Sequence, residues 1–363
     1  MISHTGAGRP QFYRGAPKDL HSSMESGLKL VAIGGGTGLS TVLSGLKELV
    51  GDHARGDLWL ESLSAIVTVS DDGGSSGRLR DELQMLPPGD IRNCMVALSE
   101  DSTLLSRLFQ YRFRGEGGLG GHSFGNLFLA ALTEVTGDFV EAVRLSSEVL
   151  ASKGRIYPAT LNDVRLVAQL EDGRQVRGET NITAAHSPIR RLSLEPEQCL
   201  PLPEALAAVR AADIITVGPG SLYTSILPNL LVARVAETIG ASPAVKIFIC
   251  NLMTQPGETD GYTARRHIEV VKAYAPEIGF DFVVVNDRHI NPGQAERYAA
   301  EGARQIGLTD HLLEEEFGGE AEIVRADLLD EGEKVRHSPA KLARVLLACY
   351  EKACARSAVS VAR

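Results

Sequence analysis

The chain has 363 residues, 44% apolar and 23% charged, enough to bury the core of one large α/β unit. Its net charge of −9 argues against broad nucleic-acid binding and against electrostatic docking on an anionic membrane. The five cysteines, Cys94, Cys199, Cys250, Cys349 and Cys354, form no Cys-x-x-Cys pair and read as reduced thiols of a cytoplasmic protein.

Met1 to Gly27 is polar, rich in Gly, Pro and Ser, and lacks the apolar centre of a signal peptide, so it reads as a disordered tail. No apolar run reaches the roughly 18–20 residues of a membrane helix. One domain is expected over 28–363, with residues 113–200 inserted in it as helices and a hairpin. Lys29 to Gly34 is a short apolar run, as in a buried parallel strand, and Thr41 to Val50 has helical spacing. Leu63 to Val69 reads as a second strand. Asp101–Tyr111, Phe124–Val135 and Phe139–Leu150 read as helices, the last capped by Asp138. Two strand-like runs, Val164–Leu170 and Arg174–Thr180, flank Asp172-Gly173, which predicts a hairpin. Strands are then expected at Ile214–Val217, Lys246–Cys250 and Phe282–Asn286. Helices are expected near Pro203–Ala211, Gly261–Ala275, Gln294–Glu301 and Pro339–Ala355. This alternation predicts a Rossmann-like, doubly wound, mostly parallel sheet.

Gly34-Gly35-Gly36-Thr37-Gly38 joins the first strand to the first helix. Glycines there admit close approach of a ligand, and a helix N-terminus offers N–H groups to an anion, so Gly35, Gly36, Thr37 and Gly38 are candidate phosphate ligands. Leu39 stands where the dinucleotide fingerprint has its third glycine, and no Gly-Lys-Ser/Thr follows as in a P-loop. After the second strand comes Ser70-Asp-Asp-Gly-Gly-Ser-Ser-Gly-Arg-Leu-Arg80. Asp71 or Asp72 is placed there to accept from ribose hydroxyls, or to hold a divalent cation such as Mg²⁺. Ser75, Ser76, Arg78 and Arg80 are read as phosphate donors on a permissive loop. In Pro87-Pro-Gly-Asp-Ile-Arg-Asn93, Asp90 reads as the cap of the next helix, with Arg92 paired to a carboxylate, and a structural turn and a ligand-binding role stay equally open for this segment. Gly115 to Gly121 has five glycines in seven residues and suits a lid. His122 after it reads as a capping or hydrogen-bonding residue, with acid–base chemistry as the alternative, and Asn126 as a ligand contact. Gly218-Pro219-Gly220-Ser221 repeats the logic of the first loop. Asn251 to Asp260 ends the next strand and starts a helix containing Tyr262, Arg265 and Arg266, with Tyr262 suited to stacking on a base or sugar and the two arginines to a solvated helix face.

Several of these segments, in fixed order, resemble the bacterial gluconeogenesis-factor family, YvcK or GlmR, related to 2-phospho-L-lactate transferase, CofD. The resemblance is carried by Ala32–Leu39, Ser70–Arg80, Gly89–Asn93, Gly125–Asn126, Val217–Pro228 and Asn251–Asp260. It implies a Rossmann-like core binding a nucleotide across the strand ends, with UDP-N-acetylglucosamine as the favoured ligand. It links the protein to carbon partitioning into cell-wall precursors and to cell shape. Gly35, Gly36, Thr37, Asp71, Asp72, Asn126, Gly220 and Ser221 would line the pocket, with Gly218 beside them, and Tyr262 and Arg297 would contact sugar or base. Such a regulator is expected to be homo-oligomeric and to have a cytoplasmic metabolic enzyme as partner, with no catalytic residue assigned. The alternative is a CofD-like transferase using a deazaflavin acceptor, a guanosine-nucleotide donor and Mg²⁺. The Ser75–Arg80 extension favours the regulator branch.

Overall fold

The computed structural model describes residues 23, 25–51, 58–100, 104–307 and 321–361. The first apolar run forms β1 (Leu28–Gly34), buried nearly throughout because it lies mid-sheet with both faces covered. The chain continues through α1 (Gly36–Leu46), β2 (Leu60–Val67), α2 (Gly74–Leu83), α3 (Gly89–Leu98), α4 (Leu104–Gln110), α5 (Phe124–Thr136) and α6 (Phe139–Val149). It then forms β3 (Arg155–Pro158), β4 (Arg165–Leu170), β5 (Gln175–Arg177), α7 (Glu179–Ala184) and β6 (Ile189–Glu195). Next come α8 (Pro203–Ala211), β7 (Ile214–Val217), a π-turn (Leu222–Ile226), α9 (Leu227–Leu231), α10 (Val235–Ala241) and β8 (Val245–Ile249). Last are α11 (Ala264–Tyr274), β9 (Phe282–Asn286), α12 (Pro292–Ala300), β10 (Glu322–Ala326) and α13 (Pro339–Val361).

Seven strands form one parallel sheet in the order β10-β9-β8-β7-β1-β2-β3. The chain winds outward from β1 to β3, returns, and winds the other way from β7 to β10. That reversal makes the boundary between β1 and β7 a topological switch point. The doubly wound architecture therefore holds. The hairpin also forms: β4 pairs with β5 on one side and β6 on the other, as a separate antiparallel sheet. The segment 113–200 also supplies β3 to the main sheet. Residues 1–22 and 24, most of the stretch read as a tail, lie outside the described residues, and the Ser23 hydroxyl hydrogen-bonds the buried Tyr350 hydroxyl at 2.8 Å. All five cysteines are buried free thiols. Among the described residues no helix is long and apolar enough to cross a membrane.

Two local expectations are corrected. Ser75, Ser76 and Arg80 lie not on a loop but in α2, and all three are buried. Arg80 is no phosphate donor: its guanidinium bonds the Asp163 carboxylate and the Val164 carbonyl. Gly-Ser-Ser-Gly has poor helix propensity, and tertiary anchoring of Arg80 overrides it. Asp90 does not cap α3: it stands in the first turn, after Pro88 at the cap position. Its carboxylate turns instead toward the first glycine loop.

Candidate functional site

The carboxyl ends of β1 and β7 meet at the switch point. The Gly218 N–H donates to the Ile33 carbonyl at 3.0 Å, extending the β1–β7 ladder into the loops. Asn251, just beyond β8, accepts from the Gly220 N–H at 3.0 Å and donates to the Gly220 carbonyl at 2.8 Å. Gln255 donates to Ser221 Oγ at 2.7 Å. Asn229 ties the turn after β1 to the π-turn by donating to the Gly34 and Ser225 carbonyls. The two glycine turns are thus clamped by side-chain amides.

Between them lies an open cavity of about 340 Å³. Gly35, Gly36, Thr37 and Gly38 form one wall, and Gly220 and Ser221 another. Gly218 lies behind Pro219 and does not line it. Leu252, Met253, Val335 and Tyr298 add an apolar side. The cap residue of α1, Gly35, has no side chain to cap with, and the Asp90 carboxylate takes the Gly36 N–H from behind, while the first turn of α1, Gly36 to Gly38, lines this space at the positive end of the helix dipole.

The last wall comes from a strap between β10 and α13 that brings Lys334, Arg336 and His337 to the cavity. Helix α12 holds this strap. Gln294 donates to the Gly332 carbonyl at 3.0 Å, Arg297 donates to the Glu333 carbonyl, and the Val335 N–H donates to Tyr298 Oη at 3.1 Å. Arg297 therefore stands on the strap, while its neighbour Tyr298 lines the cavity. His337 is buried, which lowers its pKa to about 4, so its ring is neutral at pH 7.

The remaining expected residues gather elsewhere. Asp71 accepts from the Gly73 N–H at 2.9 Å, and Asp72 accepts from both the N–H and the hydroxyl of Thr180 at the start of α7. The Ser75 hydroxyl meets His122 Nδ1 at 3.0 Å and accepts from Asn126 Nδ2 at 3.1 Å. This places His122 in a hydrogen-bonding role under the glycine-rich segment, where Arg78 donates to the Gly120 carbonyl at 2.7 Å. Tyr262 hydrogen-bonds the Tyr223 hydroxyl at 2.9 Å and lies under the Arg266 guanidinium. The two neighbouring carboxylates of Asp71 and Asp72 are engaged by different segments. Among the described residues no group of three or more His, Cys, Asp or Glu side chains is placed to hold a metal ion.

Asp90 links this acidic region to the cavity. Its carboxylate packs against Gly35, where a Cβ would stand 2.7 Å from Oδ2, and accepts from the Gly36 backbone. Burial, and then the charge of Asp71, push its pKa up to about 6. Glu258 is pushed up to about 7 by burial, and Glu179 to about 9 by burial and by Asp71, Asp90, Glu258 and Asp72. A carboxyl raised this way holds a proton when folded and releases it when unfolded. Stability from Glu179 is therefore lost as pH climbs from about 4.5 through about 9. Glu179→Gln is expected to raise stability at pH 8 by about 1–2 kcal/mol with little change at pH 4. Urea unfolding at both pH values checks this, and equal shifts at the two would rule out ionisation as the cause.

Sequence reasoning missed Tyr298, Lys334, Arg336 and His337. The strap lies some three hundred residues from the first glycine loop, and Lys-Val-Arg-His has no periodicity or turn signal. Its excess of cations was the one available hint.

The sheet and cavity define a doubly wound α/β protein whose candidate ligand site sits at the switch point between two glycine turns. Leu30 to Leu329 match the family described as 2-phospho-L-lactate transferase CofD. The gluconeogenesis factor of Bacillus subtilis (strain 168) is 46% identical over 320 residues, covering 88% of this chain and 97% of that protein. The gluconeogenesis factor of Halalkalibacterium halodurans is 44% identical over 318 residues, covering 88% and 95%. A crystal structure of a member of the UPF0052 family from Bacillus halodurans superposes with a TM-score of 0.81 at 44% identity, covering 89% of this chain and 99% of that one. The chain belongs to the CofD family, among the gluconeogenesis factors.

Proposed function

We propose that this protein is a cytoplasmic, non-catalytic sensor that binds a nucleotide sugar of the UDP-N-acetylglucosamine type. In this reading it couples carbon metabolism to cell-wall precursor synthesis and cell shape, acting as a homo-oligomer on a metabolic enzyme. One observation carries the reading: the first turn of α1, set between two glycine turns, faces Lys334 and Arg336 across one cavity. That arrangement suits a diphosphate. Calorimetric titration with UDP-N-acetylglucosamine, with and without Mg²⁺, tests it. Binding with the nucleotide recovered intact supports a sensor, and absence of binding overturns it.

A transferase is the second reading, motivated by Asp71 and Asp90, whose carboxylates interact beside the cavity. There these two residues would hold Mg²⁺ and the cation would organise a guanosine-nucleotide donor. Asp90→Asn separates the readings. In a metal-free sensor Asp90 is a negative charge beside the phosphate, so the amide should tighten nucleotide binding about three- to ten-fold at pH 8. In a metal-dependent transferase the same change should weaken binding and abolish turnover with Mg²⁺.

A further inference from the structure

A second polar hollow of about 480 Å³ opens between α1 and α4. It shares Thr37, Thr41 and Arg336 with the switch-point cavity, so the two spaces meet around the first turn of α1. We propose that this groove is the sugar subsite of the same ligand, and that the switch-point cavity takes the base. The inference rests on the nucleotide-sugar reading above and adds where each end of the ligand lies.

The chemistry of the two linings differs. The groove presents the hydroxyls of Ser40, Ser44 and Ser106, the amides of Asn93 and Gln110, and the Arg107 guanidinium. No carboxylate stands among its described lining residues, although the chain carries 46 acidic residues and a net charge of −9. Ser40, Thr41 and Ser44 donate to carbonyls one turn back, at 3.0, 2.9 and 2.9 Å. Their oxygens keep lone pairs for donors arriving from a ligand. Arg107, Asn93 and Gln110 supply donors in return. Interleaved donors and acceptors of this kind match the hydroxyl groups of a sugar. Among the described residues no aromatic ring lines the groove, so these residues offer no surface on which a base would stack. The switch-point cavity does, through Tyr298 beside Leu252, Met253 and Val335.

Charge places the linker between the two ends. Arg107 and Arg336 are exposed, and neither side chain has a carboxylate partner among the described residues. Arg336 stands where the spaces join, so a diphosphate crossing from one to the other would pass under it.

The test is calorimetry of the full chain with two probes, UDP and UDP-N-acetylglucosamine. Arg107 is on the surface, so Arg107→Ala is expected to fold normally. Wild type should bind the sugar nucleotide at least about ten-fold tighter than UDP. Arg107→Ala should remove most of that advantage and leave UDP affinity unchanged. Ser44→Phe, which fills the groove from α1, should do the same. If both variants keep the full advantage, or lose affinity for both probes alike, the groove assignment is overturned while nucleotide binding stands. If wild type binds neither probe, the nucleotide-sugar reading itself falls, and the subsite with it.

Discussion

Gly38→Ala is expected to destabilise the protein by about 1–3 kcal/mol and to abolish ligand binding. Two effects compete at this position. Gly38 lies inside α1, where alanine would gain about 1 kcal/mol of helix propensity. Against this, its Cβ would overlap the Pro219 carbonyl oxygen, with the carbonyl carbon at 2.6 Å and the Gly220 nitrogen at 3.0 Å. These are backbone atoms, and Asn251 holds Gly220 by both its N–H and its carbonyl. No rotamer change relieves the overlap, so packing wins over propensity. Relief would push the β7 turn away from α1 and spread the walls of the cavity. Gly36→Ala is the control. Gly36 has φ +61°, but its nearest neighbour to an added Cβ is Ser225 Oγ at 3.7 Å. That variant bears only the left-handed backbone cost of about 1–2 kcal/mol. Urea unfolding and nucleotide titration of both variants check the argument. Wild-type affinity in Gly38→Ala would show that the close approach of the turns does not shape the site.

Arg80→Ala should lower stability by about 3 kcal/mol. The guanidinium is among the largest fully buried groups, while the Asp163 carboxylate it pairs with is 65% exposed. An ion pair with one end in solvent contributes at most about 1 kcal/mol. Most of the cost therefore comes from the cavity left by the side chain and from the Val164 carbonyl losing its donor. Asp163→Ala removes only the ion pair and should cost less than about 1 kcal/mol. Equal losses in the two variants would refute this division. The comparison also bears on function. If α2 is held by Arg80, Arg80→Ala should disturb the Ser75–His122–Asn126 cluster that α2 carries before it touches the switch-point cavity.

The strands at the centre of the sheet were legible because burial on both faces makes them continuous apolar runs. Ile214–Val217 and Phe282–Asn286 match their expected limits. The edges were not legible. Arg155–Pro158 contains a proline and two polar or half-polar positions, and Glu322–Ala326 is half-buried throughout. Edge strands lack the double-sided burial that writes an apolar run. The hairpin was readable from Asp172-Gly173, since Gly173 takes φ +87° as a tight turn requires. The helix at Gly74–Leu83 was not, because it depends on Arg80 finding Asp163 eighty-three residues away.

What the sequence by itself determined is the series of apolar runs ending in glycine turns, and hence a doubly wound sheet with its candidate site at strand carboxyl ends. Those signals are local, set by side-chain periodicity and by backbone conformations that few residues other than glycine adopt. Only the tertiary structure decided which loops meet. The return of the chain across β1 sets Gly220 and Ser221 against Gly35–Gly38, while Asp72 is drawn away to Thr180. The strap from Lys334 to His337 reaches the same cavity because α12 hydrogen-bonds it there. Strand order and long-range packing fix those meetings, and neither is encoded in the spacing of neighbouring residues.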